Sequence, residues 1–149
     1  MSVYTDCLNR VRRKDEIVRT VKEILQSTSD TLFPAELGEK EVFIDSHDCD
    51  GDTPLHVMVW REDQEAVAAL IEAGANVNAI GDMGTTPLHI AVMKRLPESI
   101  ELLLMVGANP DIRSEFGKTA REEGVAVGGA IAKLFRGIAP NNSLQARRP

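Results

Sequence analysis

The sequence predicts an all-α protein built from short repeated helical units. Three observations predict it. Its 149 residues are 43% hydrophobic and 27% charged but hold only six aromatics, so the core is built from aliphatics and alanine, which favours closely packed helices. A four-residue string, Thr53-Pro54-Leu55-His56, returns as Thr86-Pro87-Leu88-His89, an offset of 33. Around it, other residues return at the same offset: Gly51, Gly84 and Gly117; Thr53, Thr86 and Thr119; Gly74-Ala75-Asn76 and Gly107-Ala108-Asn109.

Each element of the repeat has a physical reason. Thr53 and Thr86 cap the first helix through their hydroxyls, and Pro54 and Pro87 suit its first turn. The second helices read "EAVAALIEAG" and "ESIELLLMVG". In them Val67, Leu70 and Ile71, then Ile100, Leu103 and Leu104, share one face. Gly74 and Gly107 follow, suited to a left-handed helix end.

This period and the Thr-Pro-Leu-His string resemble the ankyrin repeat, a turn followed by two antiparallel helices, and the resemblance covers about 90 of the 149 residues. It implies a solenoid of antiparallel helix pairs with hairpin-like loops, of the short kind found in bacteria. Two repeats are nearly full, about 50–81 and 82–114, and a degenerate third runs over 115–136. The repeat domain is then 47–136, residues 1–46 form an N-terminal helical capping segment, and 137–149 a disordered tail. The resemblance also implies that His56 and His89 hydrogen-bond backbone and hold the turn.

Departures from the family pattern stand out. Glu62 and Arg95 occupy positions where the family has a turn glycine, which Gly128 keeps, so those turns are expected to be strained. Met58 replaces a small residue that Ala91 retains. Arg121, Glu122 and Glu123 place charge where inner repeats are apolar, as suits a terminal repeat with one face in water. Ahead of the repeats, Cys7, Leu8, Val11, Val18, Val21 and Leu25 form a stripe that predicts an amphipathic helix or helix pair from about Val3 to Ser27, with Asp15 a candidate cap at a break. "STSDTLFPAELGEKE" reads as a loop and then a short helix from Pro34. The stripe either covers the open end of the stack or binds a partner or second copy.

Charge narrows the functions. The net charge is −6, with the acidic excess concentrated between residues 31 and 130. That argues against nucleic acid and mildly favours a basic or neutral protein. No apolar run is long enough for a membrane helix, no signal sequence is evident, and two cysteines suggest no disulfide framework, so the cytoplasm is the expected compartment.

"DCDGDTPLH" resembles the start of a calcium loop, but in that register Ser46 and Val57 fall where acidic ligands belong. His47, Cys49 and His56 suggest zinc, yet His56 recurs as His89 without a cysteine nearby. No phosphate loop, paired-cysteine motif or nucleophile elbow occurs. No cofactor, metal or enzymatic activity is expected.

The resemblance implies a non-catalytic protein-binding module. Its columns are found by adding 33: the hairpin residues Asp50, Met83 and Phe116, their neighbours Asp52, Thr85 and Lys118, and the first-helix residues Trp60, Met93, Arg61 and Lys94. The expected partner is one protein, its identity unknown, engaged by a chain favoured to be monomeric. Two alternatives stay open: an immunity or inhibitor protein paired with a toxin or enzyme, and a homo-oligomeric structural protein joined through the N-terminal helix.

Overall fold

A computed structural model describes residues 19–138, and the statements below concern these. After two short helices, α1 (Val21–Gln26) and α2 (Ser29–Leu32), and a single 3₁₀ turn at Pro34–Glu36, three helix pairs follow. They are α3 (Pro54–Trp60) with α4 (Gln64–Glu72), α5 (Pro87–Met93) with α6 (Pro97–Met105), and α7 (Ala120–Val127) with α8 (Gly129–Arg136). First helices stack on first helices, α3 on α5 on α7, and second helices on second, α4 on α6 on α8. The described residues form no strand beyond an isolated bridge between Arg113 and Thr119. The expected helical solenoid is present.

The helices start where the threonines place them. Thr53, Thr86 and Thr119 are extended, and each hydroxyl accepts a backbone N–H from the third helical residue. In return that residue caps the threonine N–H: His56 Nδ1 at 3.1 Å, His89 Nδ1 at 3.1 Å and Glu122 Oε2 at 3.0 Å. Histidine thus does the work that Glu does in an ordinary capping box, and Glu122 restores the ordinary form in the last pair.

The same two histidines tie one repeat to the next. His56 Nε2 donates to the Thr85 carbonyl at 3.2 Å, and His89 Nε2 to the Lys118 carbonyl at 3.3 Å. With Nδ1 accepting and Nε2 donating, both rings are neutral, and burial pushes both below the usual histidine pKa against the opposing pull of those carbonyls. The backbone role implied by the family resemblance is what the structure contains.

Leu55, Leu70, Leu88, Ile90, Ile100, Leu103 and Phe135 are fully buried in one continuous core. Met58 is buried too, filling the place of the smaller Ala91. Glu62 and Arg95 take φ of 60° and 57°, so the two turns lacking glycine are strained as expected. In the last pair, Arg121 joins Asp111 at 2.8 Å and donates to the carbonyls of Phe135 and Ile138. Its charge is therefore satisfied at the end of the stack. Gly137 and Ile138, counted with a disordered tail, are held here, Ile138 against the core.

The N-terminal segment differs from expectation. Helix α1 starts after its cap Thr20, bonded reciprocally with Glu23, and carries the stripe residues Val21 and Leu25, which is within the expectation of one helix or a helix pair. The cap proposed at Asp15, the stripe from Cys7 to Val18 and residues 139–149 lie outside the described residues. The stretch read as a loop holds α2. Its hydroxyls are taken up by main-chain carbonyls, Thr28 Oγ1 bonding back to Leu25 at 2.7 Å and Ser29 Oγ forward to Lys40 at 2.8 Å, so a polar stretch is held as a helix. Helix α1 packs on α4 and α2 on α3, with Ile24, Leu25 and Leu32 buried. Arg19 adds a pair of bonds to the Asp63 carboxylate, itself the cap of α4.

Three predictions follow from this packing. A Cβ on Gly124 in α7 would overlap the buried Phe135 ring. Gly124→Ala therefore destabilises, by about 1–3 kcal/mol in urea titration, although alanine in an open helix would stabilise. Conversely, Arg95→Gly relieves a left-handed residue with an exposed side chain and raises stability by about 0.5 kcal/mol, unfolded-state entropy offsetting part of the gain. Because both rings are held neutral, their stabilisation is complete above the unfolded histidine pKa and is lost as pH falls below about 6.5, by at most about 1.4 kcal/mol per pH unit for each ring. Urea midpoints at pH 7.5 and 5.5 should separate clearly for the wild type and much less for His56→Gln/His89→Gln; equal separation would remove the rings as the cause.

Candidate protein-interaction face

Ahead of each helix pair the chain turns back on itself, forming three fingers. They are residues 48–52, 81–85 and 114–118. Each is closed by one backbone bond: Asp48 N–H to the Asp52 carbonyl (3.0 Å), Gly81 to Thr85 (2.8 Å), Ser114 to Lys118 (2.9 Å). Gly51 shows why the recurring glycine is needed: its φ is +94°, and a Cβ would sit 2.6 Å from the Ile80 carbonyl oxygen. The fingers also hold each other, Asp82 N–H donating to the Asp52 carboxylate at 3.0 Å and Glu115 N–H to the Met83 carbonyl at 3.0 Å.

Two of the aspartates that suggested calcium, Asp48 and Asp52, are engaged in this scaffold. Asp48 Oδ1 accepts from the N–H groups of Asp50 and Asp52, both at 2.9 Å. His47 Nδ1 meets the Asp48 carbonyl, Cys49 is exposed, and His56 is buried in the inter-repeat bond. Among the described residues, no group of three or more His, Cys, Asp or Glu is placed to hold a metal ion. A cavity of about 470 Å³ opens beside the first finger, its titratable lining limited to Asp45 and His47.

The columns expected from the sequence fall unevenly. At the finger tips Met83 is 44% and Phe116 61% exposed. At the ends of the first helices Trp60 is 48% and Met93 47% exposed. Asp50 and Lys118 are exposed as well. Thr85 is a correction: it is buried, its hydroxyl donates to the Asp82 carbonyl at 2.8 Å, and its own carbonyl receives His56. Asp52 is half-buried and braces the second finger.

Two cations of the first-helix column are engaged within the chain. Arg61 donates to the Ser27 carbonyl (2.9 Å) and Thr31 hydroxyl (2.8 Å) and lies 3.4 Å from Asp30, fastening the N-terminal segment. Lys94 Nζ sits 2.9 Å from Glu62 and 5.6 Å from the centre of the Trp60 ring, so the ends of α3 and α5 share a cation–π contact and an ion pair. Glu62 was not among the expected site residues; its place in a turn that normally takes glycine was the available signal. Exposed Ile80, Phe43 and Leu37 were also missed, and no periodicity marks them.

Comparison with known proteins agrees with this geometry. The family model described as "Ankyrin repeats (3 copies)" matches residues 14–114. The match takes in much of the segment that the sequence reading set apart from the repeats, and it ends before α7. A search of curated proteins returns no match. Ankyrin repeats generally mediate protein–protein interaction and are typically non-enzymatic. No helix among the described residues is long and apolar enough to cross a membrane. Matched over more than half its length, and stacking its helix pairs at a 33-residue period, the chain belongs to the ankyrin-repeat family.

Proposed function

We propose that the chain is a non-catalytic module, working in the cytoplasm, that binds one protein partner through its finger tips and the exposed ends of its first helices. The observation that supports this reading is a set of large apolar side chains left in water at repeat positions. Trp60, Met93, Met83 and Phe116 are all about half exposed or more, while the core beneath is filled without them. Exposed apolar groups gathered on one face mark interaction surfaces, and a tryptophan steadied by Lys94 is a rigid anchor of the kind that dominates binding energy. A backbone of mutually bonded fingers presents these groups with little ordering cost on association.

The test is an affinity pull-down from native lysate with wild type and a Trp60→Ala/Phe116→Ala variant, both confirmed folded by circular dichroism. Each substitution at a central anchor costs about 2 kcal/mol or more of binding, so the double variant should lose the partner. Equal retention by both proteins would move the interface to the N-terminal segment or the outer surface.

A further inference from the structure

We propose that the partner presents to this face a basic polypeptide segment, with lysine or arginine side chains set among bulky apolar anchors. The proposal rests on the reading of the face given above. Its ground is which charges the fold leaves over.

Two cations of the first-helix ends are occupied, Arg61 by the N-terminal segment and Lys94 by Glu62 and Trp60, while Arg95 stays exposed in the turn after α5. The finger carboxylates are not occupied. Asp82 and Glu115 are exposed, and their side chains take part in no hydrogen bond or ion pair among the described residues. Asp50 meets only the Cys49 thiol, at 3.8 Å. Asp48 and Asp52 add charge behind them, bonded to backbone N–H groups alone. Against these five acids the fingers carry one base, Lys118.

The placement makes the excess selective. One uncompensated carboxylate lies in each successive finger, next in sequence to exposed Met83 and Phe116 in the second and third. A partner covering the apolar groups must also cover the acids. A neutral segment would strip water from three carboxylates and give nothing back, whereas lysine or arginine replaces that hydration with charge-assisted bonds. A phosphate backbone or anionic membrane meets repulsion along the whole row. The same field accelerates encounter with a basic segment before contact.

The probe is a phage-displayed library of random 12-residue peptides, panned against the full chain at low salt. Three folded proteins are compared: wild type, Trp60→Ala/Phe116→Ala, and Asp50→Asn/Asp82→Asn/Glu115→Gln. Wild type should enrich peptides with excess Lys and Arg around large apolar residues. A synthetic peptide of that consensus should bind with a Kd that rises about tenfold between 50 and 300 mM salt and about tenfold again in the neutralised variant. Enrichment of neutral or acidic peptides, no enrichment, or an affinity indifferent to the three carboxylates overturns the inference. If such peptides still require Trp60 and Phe116, the face survives as the binding surface and only its charge preference fails. Charge-dependent binding that ignores Trp60 and Phe116 overturns instead the reading of the apolar anchors.

Discussion

Two buried imidazoles hold this protein in register. Each closes a helix N-terminus on one side and reaches a finger carbonyl of the following repeat on the other. A ring that joins local capping to inter-repeat packing makes the helix pair and the stack one cooperative unit. Helices of seven to nine residues would be marginal alone, and here they form because their caps and apolar faces are completed by neighbours.

Where that arrangement ends, the chemistry changes. Among the described residues no finger follows the last repeat, and Glu122 replaces histidine with a residue that caps but cannot donate onward. Its carboxyl is held below the ordinary range chiefly by the Thr119 N–H, with Arg113 helping. One residue further on, Glu123 stands where earlier repeats have Val57 and Ile90, with one carboxylate oxygen buried and without a hydrogen-bond partner. Its negative charge favours the protonated form of His89, partly opposing the effect of burial. The terminal pair is thus recognisable by its polarity as well as by its place.

Backbone strain and the contacts around Trp60 meet in the same turns. Glu62 and Arg95 sit in left-handed backbone that glycine would adopt more readily, yet Glu62 is the residue that anchors Lys94 beside Trp60. A glycine would relieve the backbone and leave the lysine free. The fingers show the opposite choice: Gly51 remains because the Ile80 carbonyl leaves no space for a side chain. Uniform glycine geometry sets the scaffold, and the variable residues around it carry charge and apolar surface.

The sequence by itself determined the all-helical repeat, its period, the caps, the turn glycines and most residues of the exposed columns. These depend on local chemistry repeated at a fixed offset, so a single chain displays them several times. Tertiary structure decided the rest. Thr85 belongs to a surface column by counting but is buried by the finger packing that brings its carbonyl to His56. Helix α2 was hidden because the Ser29 hydroxyl finds its carbonyl partner, Lys40, only once the segment is folded. Arg61 reads as a free groove cation until the N-terminal segment, far away in sequence, supplies its acceptors. Which charges are satisfied and which are left to a partner depends on distances between residues about thirty apart, and only the folded chain sets those distances.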